Sequence, residues 1–201
     1  MSAALHFQPI LTPVVDVDRD ELEESVIEAC RRRDPQALRM WVSRYERPVF
    51  AFLSRSLGSG PHIEDLAQEV FVRAFAALDR FDPRGPARLT TWMLSIAWRV
   101  AQEARRKRAV PPMHPADAAH FVHDPGTPEQ RHARQELAHA FEQAASQLPE
   151  DQLDVFVLAE FHGLTMSEIA NMLGVPEATV KTRLFRAREK LRKLLAPIRE
   201  A

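Results

Sequence analysis

Apolar residues recur at three- and four-residue steps along almost the whole chain, and that period confines the fold to packed helices. Leu22, Val26, Ile27 and Cys30 make a short first stripe. Leu38, Trp41, Val42, Tyr45, Val49, Phe52 and Leu53 make a longer one, ended by Gly58, Ser59, Gly60 and Pro61. Ile63, Leu66, Ala67, Val70, Phe71, Ala74, Phe75 and Leu78 form the next. After a loop from Asp82 to Arg88 come Leu89, Trp92, Met93, Ile96 and Val100. No stretch alternates with period two for long enough to argue a sheet. Residues 109–131 hold five prolines, three histidines and no sustained period, which reads as a linker. Helical spacing resumes with Leu137, Ala140, Phe141, Ala144 and Leu148. Pro149 starts a further element, carrying Leu153, Phe156, Val157 and Phe161, that Gly163 ends. The expected fold is all-α, with two small helical domains on a flexible linker. Its parts are an acidic tail (1–21), a first domain (22–108), a Pro- and His-rich linker (109–134) and a four-helix domain (135–201).

Composition excludes several functions. The chain has 201 residues, 45% hydrophobic and 27% charged, with a net charge of −1, ordinary for a globular protein of one or two domains. No apolar run approaches the ~20 residues that cross a bilayer. The N-terminus has no basic segment followed by an apolar core, so no secretory signal is expected. A lone Cys30 rules out an internal disulfide or a Cys-rich zinc site and fits a reducing cytoplasm. The glycine-rich loops that cradle nucleotides are missing, as are H-E-x-x-H and any readable Ser-His-Asp order. No cofactor, metal or catalytic activity is expected.

The near-zero charge hides an asymmetry. Residues 1–30 carry seven acids against one base, whereas 99–108 carry five bases against Glu103 and 177–201 carry eight bases against three acids. Two separated basic segments suggest two contacts with a polyanion. The second has the sharper local grammar. Thr165 and Glu168 form a capping-box pair, Gly174-Val175-Pro176 makes a tight turn, and Val180, Leu184, Ala187, Leu191 and Leu194 follow at steps of 4, 3, 4 and 3. Two short helices across a Gly-containing turn match the DNA-binding helix-turn-helix. Glu177, Thr179, Lys181, Thr182, Arg183, Arg186 and Arg188 point away from the stripe. Arg suits guanine, and Thr suits base edges or phosphate. An ordinary helical hairpin with a solvated charged face is the competing reading.

Three segments resemble bacterial extracytoplasmic-function (ECF) sigma factors. Residues 65–71 (Asp65 to Phe71) are similar to the family's polymerase-binding motif. Leu89 to Met93, with Ile96 and Ala97, are similar to its promoter-melting helix. Residues 178–188 are similar to its recognition helix. The resemblance covers about 22–108 and 135–195. It implies an alternative sigma factor that binds core RNA polymerase and directs it to promoters, with one domain on the minus-ten element and the other on the minus-thirty-five. It also implies an anti-sigma protein as partner and a bacterial cytoplasmic location, at the membrane where that partner is membrane-bound.

The resemblance assigns residues. Asp65, Leu66, Gln68, Glu69 and Val72 would contact polymerase. Of these, Asp65, Gln68, Glu69 and Val72 fall off the apolar stripe as a small acidic patch, opposite in sign to the basic coiled coil of the polymerase clamp. Arg84, Arg88, Trp98, Arg99, Glu103, Arg105, Arg106 and Arg108 would serve the minus-ten element. Arg105, Arg106, Lys107 and Arg108 suit phosphates. Trp98 lies off the core stripe: it either stacks on an unpaired base, at ~1–3 kcal/mol, or packs against 22–30. The loop 82–88 would capture a flipped base, shaped by Pro83, Gly85 and Pro86. Thr165, Glu177, Thr179, Lys181, Thr182, Arg183, Phe185 and Arg186 would face the minus-thirty-five element. Arg99 stands where the family usually has Asn, and Ala178 where it usually has Gly.

Length supports dependence on a scaffold. Sites two helical turns apart lie ~68 Å from one another. A 23-residue segment (109–131) reaches ~80 Å stretched but averages ~25–30 Å relaxed. Weak binding to DNA by the free chain is expected. The acidic tail either screens a basic face or is simply solvated, and His114, His120, His123 and His132 are either a metal sensor or solvated linker. A stand-alone helix-turn-helix regulator and a protein-binding helical adaptor are the competing functions.

Overall fold

The computed structural model describes residues 21–58, 60–107 and 140–199. Residues 1–20 of the acidic tail, the linker, its histidines and Arg108 lie outside that set. The described residues are helical, without a strand. Helices α1 (Glu24–Arg31), α2 (Pro35–Leu57), α3 (His62–Ala77) and α4 (Leu89–Arg106) form the N-terminal half. A helical stretch at 140–145 opens the other half. There follow α5 (Glu150–Phe156), extended by a π-turn over Val157–Phe161, then α6 (Met166–Leu173) and α7 (Glu177–Arg199).

Local chemistry sets most boundaries. Asp34 caps α2, accepting from the Gln36 and Ala37 amides at 3.0 and 2.8 Å, with Pro35 at the first helical position. Thr165 and Glu168 close the capping box of α6. Gly174 ends α6 at φ 66°, a left-handed cap that suits glycine. The apolar stripes are the core: Trp41, Tyr45, Phe52, Leu53, Ile63, Val70, Met93 and Leu94 are almost completely buried, as are Phe156, Ile169, Val180 and Leu191 in the second half. Val42 is exposed, and Leu195 rather than Leu194 is the buried end of the α7 stripe. A 3.6-residue helix drifts off a strict 4-3-4-3 spacing.

The two halves do not stand apart. The two helical halves expected from the sequence are present, and their cores join because α2 lies against the π-turn. Phe52 meets His162 edge-on at 6.0 Å, and the Arg55 guanidinium sits 4.2 Å from the Phe161 ring centre. His162 is fully buried, and its neutral form is favoured: burial, then Arg55, lowers its pKa to about 3.

Candidate nucleic-acid interface

The recognition-helix surface is open. On α7, Lys181, Thr182, Phe185 and Arg186 face solvent, and Thr179 is half-buried. Phe185 is 65% exposed, an unusual state for so large an apolar ring. Its position one turn from Lys181 and Thr182 puts it on the same face. Glu177 pairs with Lys181 at 2.6 Å, and Thr182 bonds back to the Ala178 carbonyl at 2.9 Å. Two members of the expected set are engaged elsewhere. Arg183 is half-buried and held by Asp151 at 2.9 Å. The Thr165 hydroxyl is part of the cap, donating to Glu168 at 2.9 Å and accepting from the Glu168 amide at 3.2 Å.

On α3, Asp65, Gln68 and Val72 are exposed, while Leu66 and Glu69 are half-buried. Val72, at 68% exposure, is an apolar centre in an acidic surround. Glu69 shares Arg73 with Glu103 of α4, the latter 2.6 Å from the guanidinium. Arg73 in turn holds the Glu103 carboxyl below the ordinary range. Glu103 therefore belongs as much to the α3 surface as to the minus-ten group.

The α4 residues expected at the minus-ten element divide over two sides of the helix. Arg99 and Arg106 are exposed. Trp98, Gln102 and Arg105 share the other side, at steps of four and three, and turn toward the C-terminal half. Trp98 packs neither on 22–30 nor into solvent; its indole N–H donates to Asp154 of α5 at 3.0 Å. Arg105 is not a solvent-facing phosphate ligand in this arrangement. Its two terminal nitrogens meet the Asp154 carboxylate, both at 2.8 Å, and one also reaches the Ser56 carbonyl at 2.9 Å. Burial opposes the charge of Arg105, but Asp154, then Glu150, hold its pKa above the usual value. Arg88 is likewise taken, by Glu168 at 2.9 Å. Burial raises the Glu168 carboxyl, yet bonds from Thr165, Arg88 and Thr91 outweigh it and leave the pKa lowered.

One residue of this site was missed by pattern reading. Glu21 accepts from the Leu89 and Thr90 amides, both at 3.0 Å, and so caps α4, whose own N-cap, Arg88, supplies no side-chain bond. Its charge also sits against the positive end of the helix. Glu21 lines a hollow beside the loop, with Leu22, Ile27, Phe81, Pro83 and Leu89. Arg84 is on the exposed rim, 3.0 Å from Glu24. The signal available was only the absence of a capping side chain before Leu89. Among the described residues no His, Cys, Asp and Glu cluster could hold a metal, and no helix is long and apolar enough to cross a membrane.

Known proteins match the chain in both halves. Residues 41–110 match Sigma-70 region 2, and residues 138–191 match Sigma-70, region 4. The RNA polymerase sigma-H factor of Pseudomonas aeruginosa is 33% identical over 191 residues, covering 90% of this chain and 98% of that protein. The ECF RNA polymerase sigma-E factor of Escherichia coli is 31% identical over 187 residues, covering 88% and 95%. CnrH, solved in complex with the cytosolic domain of CnrY, is 25% identical, with a TM-score of 0.60 over 86% of this chain and 96% of that one. The sigma factor RpoE of Bartonella quintana, solved with the anti-sigma factor NepR, shares the fold at 23% identity and a TM-score of 0.63, covering 79% and 96%. Two sigma regions in order, relatives matched over nearly their full length, and a helix-turn-helix that leaves its outer face open lead to one conclusion: the chain belongs to the ECF family of RNA polymerase sigma factors.

Proposed function

We propose a division of this sigma factor into three working surfaces, one on each of α3, α4 and α7. Asp65, Gln68, Glu69 and Val72, with Leu66 beneath them, bind the basic coiled coil of core polymerase. The loop 82–88 and α4, through Arg84, Arg88, Trp98, Arg99, Arg105, Arg106 and Arg108, hold the melted minus-ten element, and Glu103 braces α4 against α3. Thr165, Glu177, Thr179, Lys181, Thr182, Arg183, Phe185 and Arg186 dock the minus-thirty-five duplex, with Arg186, Lys181, Thr182 and Phe185 nearest the groove. Region boundaries of 22–108 and 135–201 follow from the same reading.

The observation that carries this reading is the exposure of Phe185 and Val72, at 65% and 68%. Each is an apolar side chain left exposed among the described residues, placed at the centre of a charged helix face, as an interface anchor is. The polymerase performs the chemistry and this chain supplies specificity without a catalytic site. It acts in the bacterial cytoplasm, restrained by an anti-sigma protein that can hold it at a membrane. Run-off transcription with purified core polymerase on a genomic fragment library tests the reading. New, shared start sites preceded by common minus-ten and minus-thirty-five sequences are expected. Core polymerase whose start sites do not change, or a chain that does not co-purify with it, overturns the reading.

A further inference from the structure

A cleft of about 390 Å³ opens beside α4, between the two halves. Trp98, Arg99 and Arg106 of α4 line one side, and Leu173 and Val175, at the turn of the helix-turn-helix, line another. Trp98 is half-buried, and its indole N–H is fixed on Asp154 at 3.0 Å, so the ring is held in one orientation. Leu173 and Val175 are half-buried apolar side chains, and the Val175 amide is anchored on the Ala170 carbonyl at 3.1 Å. A planar group with apolar faces suits walls of this kind. The carboxylates on the cleft are already matched: Glu103 by Arg73 at 2.6 Å, Asp151 by Arg183 at 2.9 Å and Asp154 by Arg105 at 2.8 Å. Arg99 and Arg106 are exposed and form no ion pair among the described residues.

Arg99 and Arg106 share a face of α4 and stand ~10.5 Å apart along its axis. Two guanidinium forks at that spacing suit a ligand with several phosphate groups rather than one. Volume narrows the class further. A cleft of this size at a junction of packed units is in the range that takes small molecules, whereas a helix ~10–12 Å in diameter needs more than this volume for a single turn. We propose that the cleft binds a purine nucleoside triphosphate, its base between Trp98 and the Leu173–Val175 side and its phosphates on Arg99 and Arg106. A purine offers the larger face for stacking. Neither half carries the whole site, so the ligand joins α4 to the helix-turn-helix turn and leaves when the halves part. The site goes beyond the promoter reading: it takes a small metabolite, although it uses two arginines which that reading assigns to DNA.

Isothermal titration of the full-length chain with ATP, and separately with GTP, tests the site. One-to-one saturation below ~1 mM is expected for at least one of them. Arg99→Gln and Arg106→Gln each weaken it about tenfold, the loss of one charge-assisted contact. Val175→Phe fills the slot without changing charge and abolishes binding. Arg39→Gln, exposed on α2 and outside the cleft, leaves the affinity unchanged. Inorganic tripolyphosphate, which leaves the slot empty, binds at least about tenfold more weakly. No saturation by either nucleotide overturns the site. Equal affinity for tripolyphosphate, or an equal loss with Arg39→Gln, overturns it too, because a merely basic surface then explains the binding. The two arginine variants change exposed side chains and carry the test if Val175→Phe does not fold. Run-off transcription with core polymerase scores the promoter reading separately, so a chain that transcribes but takes up no nucleotide removes the site alone.

Discussion

Helices α4 and α7 are both basic, both amphipathic and both assigned to promoter DNA, yet one is covered and the other is not. On α7 Lys181, Thr182, Phe185 and Arg186 face solvent, with Glu177 beside Lys181 and only Arg183 and Arg188 reaching α5 and its π-turn. On α4 the corresponding face meets Asp154 and Glu168 from another half of the chain. The contrast shows that a helix's sequence pattern separates buried from unburied faces, but does not say whether an unburied face looks at water, at a partner or at the rest of the chain. An Arg next to a Trp has the same appearance in all three cases.

The largest effect expected from this contrast comes from Asp154→Ala. It leaves the Arg105 guanidinium buried without its carboxylate, which costs the closed arrangement ~3–5 kcal/mol. Hydrogen exchange reads the loss as faster exchange across α5 and the C-terminal part of α4. Arg186→Ala on exposed α7 shifts stability by no more than ~0.5 kcal/mol, while weakening duplex binding to the minus-thirty-five element. Equal, small stability changes for the two would mean that the faces do not differ.

Acid comes next. His162 is neutral in the fold, its pKa lowered by burial and Arg55 from 6.5 to about 3. A depressed His pKa means that stability is complete above ~6.5 and is lost as pH falls from there toward ~3, by ~1.4 kcal/mol per unit at most. Thermal melts at pH 7 and pH 5.5 show this as a drop, and His162→Leu flattens it. The covered interface thus weakens in mild acid, because the imidazole packs on Phe52 across the two halves, while α7 keeps its outer surface unchanged.

Caps give the next tier. Glu21→Gln weakens the cap of α4, and Thr165→Ala removes that of α6, each at ~1 kcal/mol in urea unfolding. The first reduces open-complex formation and the second reduces minus-thirty-five binding, so the two promoter contacts separate. The smallest stability effects belong to Phe185→Ala and Val72→Ala, both within ~0.5 kcal/mol. The first is expected to lose duplex affinity and the second to lose retention by core polymerase, with melting curves unchanged.

Much of this was legible in the residues because its causes are local. Apolar steps of three and four place Trp41, Phe52 and Val180 in the core, since side chains that far apart share a helix face. Thr165 and Glu168 announce a cap because both partners lie within one turn. The second duty of Glu168, with Arg88 some 80 positions away, had no such signal. Nor did the meeting of Trp98 and Asp154, 56 positions apart. Glu21 capping α4 across 68 positions is the same kind of case.

Helix type, the helix ends other than the start of α4, the turn at Gly174 and the three family segments were thus set by neighbours along the chain, where spacing and backbone chemistry act within a turn or two. The pairing of Arg105 with Asp154, the burial of His162 and the covering of α4 were decided only when the two halves packed. Those contacts depend on which faces meet across a chain separation that no periodicity records. In a closed, low-dielectric interface a carboxylate and a guanidinium find one another because neither can stay there alone.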